Sequence, residues 1–266
     1  NNIYGGAGND TIILRGGSSA YGEEGDDIFI AYSGVCYGGI GNDTITRYGG
    51  SGVSYGGEGD DVFNIYSSNA KYFGEEGNDT FNIIGSLSGI VIDGGSGTNN
   101  VTGEVGSNTT INVVGANSGS VSLVSGEEQS VMINGINYTV STPSSAATVI
   151  YRINDSGQIS FSVNSGSVII KGDVNKKHNV EISSDLTFYG GDKGDTILMS
   201  GNSNYLYCGS GNNTIKITGN YSMVFCQQGN NTITGGSYGY VFGGTGVNNV
   251  TLTGNYNYVE SPKPQI

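Results

Sequence analysis

The sequence predicts an all-β parallel solenoid whose coils repeat about every 18 residues. Glycine supplies 48 of the 266 residues and proline only 3, which favours short strands joined by glycine turns over disorder. A nine-residue segment recurs five times near the start of the chain. Apolar and polar residues alternate between the turns, which is the period of a strand and not of an amphipathic helix.

The repeat is clearest in the first hundred residues. The first glycines of successive copies are 17, 16, 18 and 18 residues apart. The half-turns between copies, such as YSGVC at residues 32–36, contain no acidic residue. Each coil is therefore expected to hold one acidic turn, one plain turn and two strands. The copies are YGGAGNDTI from Tyr4, YGEEGDDIF from Tyr21, YGGIGNDTI from Tyr37, YGGEGDDVF from Tyr55 and FGEEGNDTF from Phe73.

These residues resemble the glycine–aspartate nonapeptide GGxGxDxUx of the repeats-in-toxin family, the hemolysin-type calcium-binding repeats. The resemblance implies a right-handed parallel β-roll, or β-helix, with Ca²⁺ bound between stacked turns along one edge. The carboxylate ligands that it implies are Asp10, Asp27, Asp43, Asp61 and Asp79. The carbonyl ligands that it implies belong to Gly6, Gly8, Gly25, Gly39, Gly41, Gly57, Gly59 and Gly77.

The physical chemistry of the turns agrees with calcium. Strands of successive coils stack about 4.8 Å apart, so the five aspartates should form a column. Two carboxylates at that spacing repel by roughly 3–4 kcal/mol at an effective dielectric near 20. We therefore expect this region to be loose without calcium and to fold on binding it. Glu23 and Glu75 replace the second glycine of their copies, which keeps the carbonyl but strains a positive φ.

Charge and hydropathy restrict the partners. The net charge is -13, and residues 1–100 contain 13 acidic and 3 basic residues, against 10 and 7 in residues 101–266. Such a surface is a poor partner for nucleic acid, which requires clustered Lys and Arg. No apolar run approaches the ~20 residues of a membrane-spanning helix, so membrane insertion is not expected. The predicted location is extracellular or on a bacterial cell surface, in a piece of a larger secreted or surface protein.

Alternation along the strands predicts two aromatic or aliphatic columns. The outward column can bind sugars or can stabilise neighbouring strands by stacking, and we favour stacking. The inward column is Ile12, Phe29, Ile45, Phe63 and Phe81, and the outward column is Tyr4, Tyr21, Tyr37, Tyr55 and Phe73.

The motif continues later with asparagine in place of aspartate, at Asn99, Asn213, Asn231 and Asn248. Asparagine cannot neutralise calcium, but its amides can bond from coil to coil. Asp195 keeps the carboxylate, so a partly retained metal site is expected there. Cys208 and Cys226 share one coil position in adjacent turns. They fall within disulfide range, yet their side chains point the same way, which favours free thiols.

Four regions are predicted. They are an acidic calcium-binding solenoid at 1–102, a β-rich segment without the motif at 103–188, an Asn-rich solenoid at 189–259 and a tail at 260–266. The middle segment consists either of undecorated coils or of a small β insertion at about 127–172. The insertion is preferred because its long strands show no 18-residue echo.

The predicted function is that of a calcium-binding structural or adhesion module of the kind found in surface layers and adhesins. Candidate partners besides calcium are surface glycans or neighbouring copies in a surface assembly. An enzyme is not expected. The lone histidine, His178, lies in the polar turn NKKHN and is expected at the surface. The alternative is a calcium-dependent polysaccharide lyase or epimerase on a parallel β-helix.

Overall fold

A computed structural model describes residues 2–106, 109–112, 117–123, 126, 128–143, 145–154, 156–164, 166–183 and 185–260. Regular structure in these residues is β-strand throughout, with 29 strands and no helix. The predicted class, an all-β parallel solenoid with coils of about 18 residues, is therefore confirmed. A helix that is long and apolar enough to cross a membrane is likewise not found in this part of the chain.

The chain forms two compact units. Unit 1 comprises Asn1–Ser122, Ser130–Gly135 and Arg152–Gly157, and unit 2 comprises Leu123–Gln129, Ile136–Tyr151 and Gln158–Ile266.

In unit 1 two parallel sheets face each other across the core of every coil, since successive strands alternate between the sheets. The first sheet runs in the order β1 (Ile3–Ala7), β3 (Ser19–Glu24), β5 (Val35–Ile40), β7 (Val53–Glu58), β9 (Lys71–Glu76), β11 (Val91–Asp93), β13 (Thr109–Asn112) and β15 (Glu128–Ile133). The second runs in the order β2 (Thr11–Leu14), β4 (Ile28–Ala31), β6 (Thr44–Arg47), β8 (Val62–Ile65), β10 (Thr80–Leu87), β12 (Asn100–Val105) and β14 (Asn117–Leu123).

Unit 2 also has two sheets, but one of its strand pairs is antiparallel and two successive strands lie in the same sheet. One sheet runs in the order β16 (Ile136–Ser141), β19 (Val168–Gly172), β21 (Leu186–Tyr189), β23 (Tyr205–Gly209), β25 (Met223–Cys226), β27 (Tyr240–Phe242) and β29 (Tyr258–Glu260). The other runs in the order β17 (Ala147–Ile153), β18 (Ile159–Val163), β20 (Asn179–Ile182), β22 (Thr196–Met199), β24 (Thr214–Asn220), β26 (Thr232–Ser237) and β28 (Asn249–Thr251).

The segment at 103–188 contains both kinds of pairing. β15 pairs with β13 in parallel, and β18 and β19 pair in parallel with β20 and β21. β16, in contrast, is antiparallel to β19. Asn134 and Gly135 precede β16 with φ of 48° and 72°, the conformation of a tight hairpin turn. This reversal of the chain direction explains why the sequence loses its 18-residue echo here.

The register aligns the motif from coil to coil in unit 1. Tyr37 pairs with Tyr21 on one side and with Tyr55 on the other. The predicted inward column is buried, at 5% exposure for Ile12 and 0% for its four successors. The predicted outward column is a stack of rings, with centroids 4.7 Å apart between Tyr21 and Tyr37 and 4.9 Å apart between Tyr37 and Tyr55. Both predictions are confirmed.

Candidate metal site

The five predicted aspartates of unit 1 lie in one column, here called the inner column. Asp27, Asp43, Asp61 and Asp79 are at most 1% exposed, whereas Asp10 at the first coil is partly exposed. Oδ1 of each of the last four accepts a hydrogen bond from the backbone N–H of the aspartate one coil earlier. These N···Oδ1 distances are 2.7 Å for Asp10 to Asp27, for Asp27 to Asp43 and for Asp43 to Asp61, and 3.0 Å for Asp61 to Asp79.

The second carboxylate oxygen has a different environment. Oδ2 of Asp27, Asp43, Asp61 and Asp79 is buried and has no hydrogen-bond partner among the described residues. A buried acceptor without a donor costs about 1–3 kcal/mol, and more when it is charged. The column therefore holds four buried acceptor oxygens that a bound proton or a bound cation would satisfy.

The first glycine of each motif shapes the space around Oδ2. A side chain on Gly38 would overlap both Oδ2 of Asp43 and the carbonyl oxygen of Gly56. Oδ2 of Asp43 thus lies beside a second acceptor, the Gly56 carbonyl oxygen, and against the Cα of Gly38, which has no side chain. Gly22, Gly56 and Gly74 have the same surroundings in their own coils. Sequence reasoning did not name these glycines as site residues, although each copy of the motif contains one.

Burial dominates the electrostatics of three of these aspartates. The pKa of Asp61 is raised to about 8, chiefly by desolvation and also by the charges of Asp43, Asp79 and Asp60, against the hydrogen bond from the Asp43 amide, which lowers it. Desolvation likewise raises the pKa of Asp43 and of Asp79 to about 6 each. Carboxyls with such values are held in an environment that favours a bound proton or a bound cation over a bare charge.

The predicted carbonyl ligands share one backbone conformation. All eight glycines have φ between 105° and 138°, a region in which only glycine is unstrained. A side chain on Gly59 would overlap the carbonyl oxygen of Gly41, and one on Gly77 that of Gly59, so these carbonyls point towards the next coil. Glu23 and Glu75 adopt φ of 82° and 76°, as the sequence predicted.

A second column beside the first was missed by sequence reasoning. It consists of the residues that precede the inner aspartates, is exposed, and alternates Asn with Asp. Here the backbone N–H of the later coil donates to the side chain of the earlier coil, which is the reverse of the inner column. The Asn42 N–H donates to Oδ1 of Asp26 at 2.7 Å, and the Asp60 N–H donates to Oδ1 of Asn42 at 2.8 Å. The only signal in the sequence was the Asn/Asp alternation. This outer column is Asn9, Asp26, Asn42, Asp60 and Asn78.

Unit 2 carries the same turn with an amide in place of the acid. The Asn213 N–H donates to Oδ1 of Asn231 at 3.1 Å, which repeats the backbone bond of unit 1. The amide Nδ2 of Asn213 also donates to Oδ1 of Asn231, and Nδ2 of Asn231 to Oδ1 of Asn248, both at 2.8 Å. The predicted coil-to-coil bonding of asparagines is confirmed, and each of these buried amides finds an acceptor.

Asp195 differs from the aspartates of unit 1 because both of its oxygens are engaged. Oδ1 accepts from the backbone N–H of His178 at 2.8 Å and lies 3.0 Å from Nδ1 of the same residue. Oδ2 accepts from the Gly191 N–H at 2.9 Å. The expectation that His178 lies at the surface is wrong, since its side chain is 0% exposed. It precedes Asp195 by 17 residues, which is one coil, so the column holds it inside.

The cysteine prediction also needs correction. Cys208 and Cys226 form a disulfide, with Cα atoms 5.1 Å apart, so the expectation of free thiols is wrong. Their Cα separation is the one that the coil spacing predicted. The third cysteine, Cys36, is free and buried, and burial raises its pKa to about 11, against the charge of Arg47, which lowers it.

The donor set of the inner column contains only oxygen. Carboxylate and carbonyl oxygens are the ligands that calcium prefers, and calcium sites take part of their ligands from the backbone. No group of three or more His, Cys, Asp or Glu side chains that could hold a metal ion is found in the described part of the chain. Backbone carbonyls would therefore have to complete any calcium site here.

Comparisons with protein-family models, with curated proteins and with solved structures found no match for this chain. Membership of the repeats-in-toxin family accordingly stays a prediction from the repeat.

Proposed function

We propose that this chain is a calcium-binding extracellular module with a structural or adhesive role, part of a larger secreted or cell-surface protein. Calcium binds along the inner column of unit 1, where Asp27, Asp43, Asp61 and Asp79 supply carboxylates and Asp10 ends the column. The repeat's resemblance to the repeats-in-toxin nonapeptide supports the choice of metal. When bound, calcium supplies the positive charge that the column lacks.

The observation that carries this proposal is the column of buried Oδ2 atoms that have no hydrogen-bond partner among the described residues. Each lies beside a backbone carbonyl oxygen, as Asp43 does beside Gly56. Each carboxylate therefore gains one hydrogen bond through Oδ1 and leaves the other oxygen facing an acceptor. A divalent cation satisfies both acceptors at once, and millimolar calcium is available outside the cell. Asp195 is not included, because its two oxygens already accept hydrogen bonds.

The shape of the repeat supports a structural role. Stacked coils with buried Ile and Phe columns and stacked tyrosines resist bending locally and present the same side chains at every coil. A calcium requirement keeps such a segment loose where calcium is scarce and folds it outside, as the family resemblance implies. Surface glycans or neighbouring copies are the partners that such a module would contact.

The test is calorimetric titration of the chelated chain with calcium, with the ions counted. We expect about four to six ions per chain, in line with the turns of the inner column, and a gain of β signal in circular dichroism. Zero or one ion would contradict the proposal.

Matched variants locate the ions. Asp61→Asn keeps the Oδ1 contact but replaces Oδ2 by an amide, as at Asn231, and should lower the calcium stoichiometry. Asp26→Asn makes the same chemical change in the exposed outer column, where Asn9 and Asn42 already occur, and should leave calcium binding unchanged. An equal loss in both variants would place the ions outside the inner column.

A further inference from the structure

An open groove of about 500 Å³ lies on the outward face of the first sheet of unit 1. We call it the tyrosine groove. The rings of Tyr37 and Tyr55 form one part of its lining, Gly39 and Gly57 another, and the rest comes from Gly38, Ile40, Gly56, Glu58, Glu75 and Glu76.

The groove exists because two adjacent coils lack a side chain at one position. In register, Glu23 pairs with Gly39, Gly39 with Gly57, and Gly57 with Glu75. The two glycines therefore leave a gap two coils wide, with Glu75 in its lining at one end and Glu23 outside the lining beyond the other end. Glu23 and Glu75 hold positive φ in conformations that glycine would adopt without strain. Residues in such conformations concentrate at functional sites.

The lining is unbalanced in charge. Glu58, Glu75 and Glu76 are exposed glutamates, and the described residues around the groove include no Lys or Arg. Three carboxylates with no basic residue among them give the groove a negative potential, which favours a cationic ligand.

The aromatic wall offers hydroxyls and ring edges. Tyr37 stacks against Tyr21 at 4.7 Å and against Tyr55 at 4.9 Å, nearly parallel to both. Both of its faces are therefore covered. A ligand meets polar hydroxyl groups that repeat from coil to coil, which suits a polymer with repeating hydroxyl and amino groups.

The sheet argues against an extended peptide. β5, β7 and β9 are each hydrogen-bonded to a strand on either side. Binding by strand addition requires a free sheet edge, and this face has none at the groove. Recognition at this face must therefore use side chains.

We propose that the tyrosine groove binds a glycan that carries protonated amino groups, with the ammonium groups held by Glu58, Glu75 and Glu76 and the sugar hydroxyls by Tyr37 and Tyr55. This site deepens the adhesive role proposed above and rests on it.

The experiment uses the full chain saturated with calcium and immobilised for surface plasmon resonance at pH 6. The probes are a glucosamine hexamer and the same hexamer fully N-acetylated, which keeps the sugar skeleton and loses the charge. We expect the glucosamine hexamer to bind at least about tenfold more tightly, because charge-assisted hydrogen bonds are lost on acetylation. Equal binding of both hexamers, or of neither, would overturn the proposal.

Two variants distinguish binding in the groove from a general attraction to the acidic surface. Glu75→Gly removes a lining carboxylate and restores the unstrained residue, and should weaken hexamer binding by about three- to tenfold. Glu23→Gly makes the same change in charge and strain at a residue outside the lining and should leave the affinity within about twofold. Equal weakening by both variants would overturn the proposal.

A hexalysine peptide serves as the macromolecular control. Binding as tight as that of the glucosamine hexamer would show simple attraction to negative charge and would overturn the assignment to a glycan. Calcium stoichiometry is measured on the same samples. If calcium binds as expected and the hexamer does not, the groove assignment fails while the calcium proposal stands.

Discussion

The inner column of unit 1 and the asparagine column of unit 2 occupy the same turn of the coil with different side chains. In both, a backbone N–H donates to the side-chain Oδ1 of the next coil, as in Asp43 to Asp61 and in Asn213 to Asn231. The second side-chain atom differs. In unit 2 it is an amide that donates at 2.8 Å, whereas in unit 1 it is an acceptor without a donor among the described residues.

The comparison shows that the same backbone turn can satisfy all of its own hydrogen bonds or can require a bound proton or cation. An amide column closes its own hydrogen bonds and needs nothing from solvent. A carboxylate column of the same shape requires a proton or a cation for each coil, because like charges and buried acceptors oppose folding. We therefore expect the acid column of unit 1 to make stability depend on pH and on cations, and the asparagine column of unit 2 to add no such dependence.

The largest effect is expected when the acid column is converted into an amide column. Replacement of Asp27, Asp43, Asp61 and Asp79 by Asn gives every buried Oδ2 position a donor. In chelator, the free energy of unfolding of unit 1 should rise by several kcal/mol, from about 1–3 kcal/mol per oxygen. Thermal unfolding followed by circular dichroism, with and without calcium, measures it. A lower melting temperature in chelator than that of the unmodified chain would contradict the comparison.

The next effect is the pH dependence of the calcium-free chain. The folded-state pKa values of about 6, 8 and 6 for Asp43, Asp61 and Asp79 exceed the ~4 of an unfolded aspartate. Between about pH 4 and pH 8 the folded state therefore binds protons that the unfolded state has released. The stabilisation that these bound protons contribute should be fully present below about pH 4. The free energy of unfolding should then fall as pH rises towards 8.

Melting temperatures of the chelated chain at pH 5, 6, 7 and 8 test this dependence. Burial and the charges of Asp26, Asp60 and the inner neighbours act on these carboxyls. A triple variant with Asn in place of Asp43, Asp61 and Asp79 lacks the carboxyls, so its melting temperature should vary less with pH. A melting temperature that rises from pH 5 to pH 8 in chelator would contradict the burial of unneutralised acids.

A smaller effect is expected from the reverse change in unit 2. Asn231→Asp turns the donor that reaches Asn248 into an acceptor at a residue with 0% exposure. It should cost about 1–3 kcal/mol at pH 7.5. Asn212→Asp is the control, because Asn212 is exposed and its Oδ1 accepts from the Asn230 N–H, as in the outer column of unit 1, which already contains aspartate. Denaturant unfolding of the two variants compares them, and equal costs would count against the distinction between inner and outer columns.

The smallest effect concerns the strained turn of the second coil. Glu23 adopts φ of 82°, and Glu23→Gly should stabilise unit 1 by about 1 kcal/mol through relief of that strain. Unfolding in calcium, where the column is neutralised, isolates this contribution. A destabilised variant would mean that the Glu23 side chain makes a contact more valuable than the strain it causes.

Much of this arrangement could be predicted because an 18-residue period fixes which residues stack. The period alone placed Phe63 over Phe81, Tyr37 over Tyr55 and Asn213 over Asn231. It also implied the short Cα separation of Cys208 and Cys226, but side-chain direction suggested that they were free, and the structure joins them. Side-chain geometry within a column is not determined by its spacing.

At two places local composition is a weaker guide than register. The Lys and Asn neighbours of His178 indicate a surface turn, but its distance of one coil from Asp195 places it in the column. The outer column mixes Asn with Asp, so no single residue type marks it and only the register reveals it. The first glycines, such as Gly38, were treated as turn formers, and their contact with the Asp43 carboxylate depends on a side-chain rotamer that sequence does not reveal.

Hydrogen exchange followed by mass spectrometry, with and without calcium at pH 7.5, tests the contrast between the two columns most directly. In chelator, peptides that contain the amides of Asp43 and Asp61 should exchange at least about tenfold faster than in calcium. Peptides that contain the amides of Asn213 and Asn231 should exchange at the same rate in both conditions. Equal protection of the Asp43 and Asp61 amides with and without calcium would contradict the account.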